Sequence, residues 1–177
     1  MSISSEIREL VRHRAGRACE YCGVGESDVG GELTIDHIRP TSQLGDDDPA
    51  NLVYCCPRCN QYKADYWPTN AEDFPLWNPR SEPREKHLLL LADGTVYPIT
   101  NTGRVSLRRL RLNRPPLVAH RRRRLADAET TRLLTQYRDL LASLEQLQQQ
   151  HASLLEEHQR LLEQQRMLMR LLLENAD

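Results

Sequence analysis

A chain of 177 residues, with 5% aromatic and 28% charged residues, has room for one ordinary domain and an appendage but lacks the apolar content of a large core. Its apolar stretches are far shorter than the roughly 20 residues that a membrane span needs, and it begins without an apolar signal region. We therefore expect a cytoplasmic protein with no membrane partner. The net charge is −1, but residues 69–124 hold 12 Lys and Arg against 5 Asp and Glu.

The first segment, residues 1–68, predicts a small α+β domain. Ser4 is typical of a helix N-cap, and apolar residues at helical spacing follow it. The alternating run 33–38 predicts a strand, a polar loop follows, and the apolar run 52–54 predicts a second strand. Residues 56–65 are typical of a short helix. We therefore expect the order strand, loop, strand, helix.

Four of the five cysteines form two CxxC pairs, Cys19 with Cys22 and Cys56 with Cys59. In a cytosolic chain this pattern favours metal binding over a disulfide framework. Four thiolates at tetrahedral distance make a closed structural zinc site without an open position for catalysis. The alternative is a set of unpaired core cysteines. Cys55 breaks the spacing, and we interpret it as a small buried residue.

Between the two cysteine pairs lie polar residues that are suited to phosphodiester hydrolysis. This reaction needs a hard cation near the phosphate and a base that deprotonates water, and carboxylate, carboxamide and imidazole groups supply both. Asp36 and Asn60 are the candidate metal ligands, and His37 is the candidate base. In a regular strand Asp36 and His37 face opposite sides, so His37 would need a local bend to address the same phosphate.

At these residues the sequence resembles the HNH endonuclease family, in the variant whose ββα-metal fold is stapled by two CxxC pairs. The resemblance covers about a quarter of the chain. The matching stretches are Cys19-Glu-Tyr-Cys22-Gly23, Ile35-Asp36-His37-Ile38-Arg39-Pro40, Asn51-Leu52-Val53 and Cys56-Pro-Arg-Cys59-Asn60-Gln-Tyr-Lys63.

The resemblance implies roles for five residues. His37 would activate the water, Asp36 and Asn60 would hold one Mg²⁺ or Mn²⁺ ion, and Asn51 would orient the site or the loop that carries His37. Lys63 would approach the phosphate backbone. Asn60 departs from the histidine that the family's name leads one to expect, and its oxygen favours a hard ion over softer metals.

The second segment, residues 69–124, is rich in proline and arginine. Two strand-like runs, 88–91 and 96–99, flank the turn dipeptide Asp93-Gly94 and predict a small hairpin. His87, like His13 and His120, is interpreted as a surface or hydrogen-bonded histidine without a site role.

Nine arginines fall within residues 104–124, with no acidic residue among them. Such a run favours contact with DNA phosphates, without reading base sequence. The alternative is that these arginines form a solvent-exposed face without a binding partner. The predicted nucleic-acid-binding residues, besides Lys63, are Arg108, Arg109, Arg111, Arg121, Arg122, Arg123 and Arg124.

The third segment, residues 125–177, predicts one long helix from about Leu125 to Leu173, because this stretch contains no Gly or Pro. Leucine recurs every seven residues, which is typical of a coiled coil that joins copies of the chain or a partner protein. Apolar residues at the e positions widen the stripe, so packing on residues 66–120 of the same chain is the alternative. The predicted d positions are Leu133, Leu140, Leu147, Leu154, Leu161 and Leu168, and the a positions are Tyr137, Leu144, His151, His158, Gln165 and Leu172.

These features together predict a metal-dependent endonuclease that acts on DNA and is oligomerised or docked through its helix. One alternative is a catalytically inactive zinc-stabilised module that binds nucleic acid or serves as a scaffold. Another is an oligomeric adaptor that carries a nuclease head into a larger complex. The sequence leaves open the choice among double-stranded DNA, single-stranded DNA and RNA, and the choice among restriction, phage defence, transposition and phage packaging.

Overall fold

The computed structural model describes residues 3–70 and 72–174, with side chains described as far as Arg170. The chain divides into two compact units, Met1–Ala126 and Asp127–Asp177. The side chain of Leu172, a predicted a position, lies outside the described residues. No helix in the described ranges is both long and apolar enough to cross a membrane.

The first unit opens with helix α1, Ser5–Arg14, whose N-cap Ser4 accepts a hydrogen bond from the amide of Ile7. A single helical turn, α2, covers Glu26–Val29. The capped N-terminal helix is therefore confirmed. Val11 is the fully buried residue of α1, so the helix packs on the core through one face.

An antiparallel pair of strands and a short helix follow. Strand β1, Thr34–His37, pairs with β2, Leu52–Cys55, and helix α3, Pro57–Lys63, comes next. The predicted order strand, loop, strand, helix is confirmed. All four residues of β2 are buried, so this strand lies in the centre of the core, whereas β1 is half-buried along its length.

The chain after α3 adds a hairpin and a further helix. Strands β3, Leu88–Leu90, and β4, Val96–Pro98, pair antiparallel, which confirms the predicted β element. Helix α4, Asn101–Arg109, was not predicted. Its N-cap is Thr100, whose hydroxyl accepts a hydrogen bond from the amide of Gly103. Its apolar face is short, and the stretch contains several arginines and a glycine, which has a low helix propensity, so its sequence does not indicate a helix.

Residues from before and after residue 68 share one hydrophobic core. The ring of Trp77 meets Tyr21 edge-on at 6.4 Å between ring centres. The amide of Trp77 donates to the hydroxyl of Ser106 in α4, and its indole N–H donates to the carbonyl of Glu82. The basic segment is thus folded onto the cysteine-containing segment.

The last helix, α5, covers Pro115–Glu174 and begins ten residues before the predicted start near Leu125. Proline is compatible with the first turn of a helix, where its missing N–H has no intrahelical partner. Leu117 is buried in the core of the first unit. In the second unit, the six leucines at the predicted d positions are exposed, by 53% to 63% of their surface.

Candidate functional site

The four cysteines of the two CxxC pairs come together in one buried cluster. Cys19 and Cys22 precede α2, Cys56 caps the N-terminus of α3, and Cys59 lies in its first turns. The four sulfur atoms lie within 4.8 Å of one another, and Cys22 and Cys56 are 3.8 Å apart.

This cluster has the dimensions of a tetrahedral metal site. With Zn–S bonds of about 2.3 Å, the sulfurs of a tetrahedral zinc site lie about 3.8 Å apart. The predicted four-cysteine site is confirmed as one that can hold zinc.

Cys55 is not part of the cluster. Its side chain is buried and its sulfur lies 3.7 Å from the hydroxyl of Thr34. Burial raises the pKa of the Cys55 thiol, so it stays protonated. The prediction of a small buried residue at this position is confirmed.

Asp36 and Lys63 form a buried ion pair where α3 packs on β1. The Lys63 ammonium lies 3.0 Å from Oδ2 of Asp36 and only 1% of the Lys63 side chain is exposed. Burial raises the pKa of Asp36, although the Lys63 charge opposes this effect. Lys63 was expected to approach the phosphate backbone; its burial corrects that expectation, because it presents no surface to DNA.

Asn60 lies in the same α3–β1 interface. Its amide nitrogen donates to the hydroxyl of Thr34, 3.4 Å away, and this contact leaves its amide oxygen free. Thr34 and Asp36 are two residues apart in β1 and therefore lie on one face of the strand. The structure thus places the two candidate metal ligands, Asp36 and Asn60, on the same side of the sheet.

His37 contacts Asp47, a residue that was not predicted from the sequence. Its Nε2 lies 2.7 Å from a carboxylate oxygen of Asp47. The register of β1 with β2 is continuous from Thr34 to His37, so the strand lacks the local bend that His37 would need to address the same phosphate as Asp36. No hydrogen bond or ion pair between described side chains joins His37 to Asn60. The only sequence signal for Asp47 was its place in an acidic loop.

Asn51 fastens the loop that connects β1 to β2. Its side-chain oxygen accepts from the amide of Arg39 at 2.9 Å, and its amide donates to the carbonyls of Asp46 at 2.9 Å and Arg39 at 3.2 Å. One side chain therefore joins both ends of the loop, beside Asp47, the partner of His37.

The remaining histidines lie outside this site. His87 is buried, and its two ring nitrogens contact Thr100 and Glu82, so its prediction as a hydrogen-bonded histidine is confirmed. His13 is exposed. His120 is largely buried, with Nδ1 3.7 Å from a carboxylate oxygen of Asp28.

The arginines predicted to contact DNA fall into two groups. Arg108, Arg109, Arg111 and Arg122–Arg124 are exposed. Arg109 and Arg111 lie over the rings of Tyr66 and Tyr62, with the guanidinium carbons 4.4 and 4.7 Å from the ring centres. Such stacking holds a guanidinium in place at the surface.

Arg121 differs from its neighbours and corrects the prediction made for it. It is buried, and its guanidinium donates to the carbonyl oxygens of Gly94 and Leu112. These contacts join α5 to the hairpin turn and to the chain that follows α4. Arg121 is therefore a structural residue of the first unit and presents no free guanidinium to phosphate.

Comparison with protein families gives one match: a family model described as HNH endonuclease matches residues 19–65, about a quarter of the chain. The matched range contains β1, β2, α3 and all four clustered cysteines, so the resemblance found in the sequence is confirmed. Neither the curated proteins nor the solved structures gave a match. Residues 19–65 therefore match the HNH endonuclease family model and include four cysteines that can bind metal.

Proposed function

We propose that this chain is a metal-dependent endonuclease that hydrolyses phosphodiester bonds in DNA. The observation that carries the proposal is that Asp36 and His37 are the last two residues of β1, within a stretch that matches the HNH family model. Because the strand is regular, the two side chains face opposite sides of the sheet, and the proposal therefore requires the phosphate to bind at the end of the strand.

His37 is the proposed general base. Because the carboxylate of Asp47 accepts a hydrogen bond from Nε2–H, the neutral ring carries its lone pair on Nδ1. Nδ1 then takes a proton from the water that attacks phosphorus. Asn51 supports this arrangement because it fastens the loop that carries Asp47.

Asp36 and Asn60 are the proposed ligands of a catalytic Mg²⁺ or Mn²⁺ ion. The ion supplies positive charge against the negative charge that develops on the phosphate and the leaving oxygen. Among the described residues, the only cluster of three or more Cys, His, Asp or Glu ligands is the four-cysteine group. Two oxygen ligands from the protein are enough for Mg²⁺, which usually keeps several waters and binds substrate phosphate.

The exposed arginines are the proposed DNA contacts. These are Arg108, Arg109, Arg111 and Arg122–Arg124, which lie in a stretch, residues 104–124, without an acidic residue. Contacts of this kind bind phosphates and carry no base-specific information. We propose that DNA binds through this surface and that any sequence choice arises elsewhere.

The second unit supports a further part of the proposal, which is that α5 joins copies of the chain or docks a partner protein. Apolar side chains cover its d positions and most of its e positions and are exposed in the single chain. Burial of such a stripe against another helix is the usual outcome in water.

One observation favours the alternative of an inactive binding module. The Lys63 ammonium lies against Asp36 and occupies one oxygen of this carboxylate. If Lys63 keeps that place when DNA is bound, Asp36 offers only Oδ1 to a divalent ion. The same domain would then bind nucleic acid without cutting it.

The test is cleavage of supercoiled plasmid by the zinc-loaded full chain, with Mg²⁺, with Mn²⁺ and without added divalent ion. We expect cleavage that requires the added ion and is abolished by His37→Ala, with the zinc content unchanged. His13→Ala, at an exposed histidine, is the matched control and should cut normally. Binding without cleavage would support the inactive module, and single-stranded DNA and RNA substrates would define the substrate class.

A further inference from the structure

Arg114, which lies outside the HNH match, contacts the cysteine cluster directly. Its Nη2 lies 3.8 Å from the sulfur of Cys59 and 3.9 Å from the sulfur of Cys56. These are the distances of N–H···S hydrogen bonds. One guanidinium nitrogen thus faces both sulfurs contributed by the second CxxC pair.

The Arg114 side chain is held in this position by other contacts. Its Nη1 donates to the carbonyls of Leu110 at 3.0 Å and Arg111 at 3.3 Å, at the end of α4. The guanidinium also lies 5.6 Å from the ring centre of Tyr62 in α3. Because these contacts hold the guanidinium independently of the sulfurs, little side-chain entropy is lost when it donates to them.

The net charge of a zinc ion with four thiolates explains why a cation is favourable beside the cysteine cluster. Four thiolates and one Zn²⁺ ion carry a net charge of −2, and a buried charge is unfavourable unless a partner of opposite sign offsets it. Arg114 belongs to the segment that folds onto the cysteine-containing segment, so this cation comes from outside the HNH match.

We infer that Arg114 is an outer partner of the zinc site: its N–H groups donate to the thiolates of Cys56 and Cys59, offset their charge and slow the loss of zinc. The segment after the HNH domain then completes the metal site in addition to any contact with DNA. This inference rests on zinc binding by the four cysteines and is independent of nuclease activity.

The experiment compares three variants of the full chain. Arg114→Gln removes the charge. Arg114→Lys keeps the charge but lacks the planar guanidinium whose N–H groups reach both sulfurs. Arg108→Gln removes an exposed arginine and is the matched control. Each protein is purified with zinc, its zinc content is measured by elemental analysis, and zinc transfer to an excess of a chromogenic chelator is followed in time. The rate at which Ellman's reagent modifies the thiols is measured in parallel.

We expect Arg114→Gln to release zinc and expose its thiols about tenfold to a hundredfold faster than the wild type, the range usual for loss of an outer partner of a metal site. Arg114→Lys should be intermediate and Arg108→Gln unchanged. Wild-type rates in a folded Arg114→Gln protein, or equal acceleration by Arg108→Gln, would overturn the inference.

Circular dichroism of the zinc-loaded proteins shows whether each variant is folded. If Arg114→Gln does not fold, Arg114→Lys decides the question, because it should still release zinc several-fold faster than the wild type. A wild-type rate in Arg114→Lys would then overturn the inference. Plasmid cleavage has no part in this experiment, so failure here leaves the proposed nuclease function untouched.

Discussion

At the scale of single residues, one hydrogen bond determines which nitrogen of His37 can accept a proton. The Asp47 carboxylate lies 2.7 Å from Nε2, so the neutral ring donates there, and in the proposed mechanism Nδ1 is the base. Asp47 itself belongs to the loop between the strands, where Gly45 approaches the backbone of Arg39 too closely for any side chain. The position of Asp47 thus depends on the path of this loop.

The first prediction concerns Asp47. Asp47→Asn should reduce DNA cleavage about tenfold to a hundredfold, part of the 10²- to 10⁴-fold that a general base contributes, because the amide no longer selects the required tautomer of His37. Asp46→Asn is the matched control, since the Asp46 carboxylate accepts from the amide of Asp48 and is not the partner of His37, and it should cleave normally. Initial cleavage rates at saturating DNA measure the effect; equal rates in the two variants would exclude a positioning role for Asp47.

The second prediction concerns Glu26 and pH. Hydrogen bonds from Arg12 and from the hydroxyl of Tyr54 lower the pKa of Glu26 from about 4.5 to about 2. A carboxylate with a lowered pKa stabilises the folded state above its unfolded pKa, and this stability is lost as pH falls through the folded pKa. The wild type should therefore exceed Glu26→Gln in free energy of unfolding by a constant amount above about pH 5, and this difference should decrease towards pH 2.

Urea denaturation of both proteins, at matched pH values from 7 to 3, measures this difference. Acid also weakens zinc binding by thiolates, but it does so in both proteins, so the comparison isolates Glu26. A difference that stays constant over this range would mean that Glu26 titrates normally in the folded protein.

The residues that sequence alone predicted are those whose role depends on local spacing. The four clustered cysteines follow from two CxxC pairs. Asp36, His37, Asn51 and Asn60 are candidates from their order between those pairs, and their catalytic roles stay predictions. Asp47 and Arg114 could not be predicted in this way, because their partners lie in other elements. Lys63 and Arg121 were predicted to contact nucleic acid and are buried instead, because charge in a sequence does not show which cations are buried with partners.

At the scale of elements, strands and the hairpin were predicted well because alternation and turn residues mark them locally. Helix α4 was missed because Gly103 interrupts a short arginine-rich stretch. The structure shows why glycine is there: a Cβ at Gly103 would collide with the backbone carbonyl of His87. Helix α4 lies so close to the chain before β3 that a side chain does not fit.

The third prediction follows from this close approach. Gly103→Ala should destabilise the folded first unit by about 1–3 kcal/mol, the usual result of overpacking, although alanine favours helix more than glycine does. Gly31→Ala is the matched control, because nothing lies within 4 Å of its Cβ position. Thermal melts of the full chain measure both; a more stable Gly103→Ala protein would show that α4 can move away from His87.

At the scale of the whole molecule, the distribution of charge matters more than its net value. The exposed arginines Arg122–Arg124 follow one another in α5 and end a stretch, residues 104–124, that contains no acidic residue. Those of the second unit, such as Arg132 beside Glu129 at 2.9 Å, are interspersed with acidic residues. Only the first group is suited to bind phosphate.

The fourth prediction tests this difference by salt dependence. Changing Arg122–Arg124 to glutamine should flatten the slope of log affinity for DNA against log salt concentration by about one unit per lost phosphate contact. The matched control changes Arg132, Arg138 and Arg160 to glutamine, which removes the same charge from the second unit and should leave the slope nearly unchanged. Fluorescence anisotropy with labelled duplex DNA gives both slopes; equal slopes would mean that only net charge matters.

The last prediction is self-association through α5. Leu147 is 61% exposed in the single chain and is one of six leucines at successive d positions. Exposure of such an apolar stripe to water is unfavourable, and association with another helix buries it. The full chain should therefore sediment as an oligomer, with the polar His151 and His158 at a positions helping to fix the register. Leu147→Glu places a charge in this seam and should weaken association, whereas Gln149→Glu, two residues away at an f position, adds the same charge outside it and should not. Sedimentation velocity over a range of concentrations distinguishes the outcomes. A wild-type chain that is monomeric at every concentration would contradict self-association and favour a partner protein as the molecule that covers the leucine stripe. Equal association of the two variants would show that the heptad register is wrong.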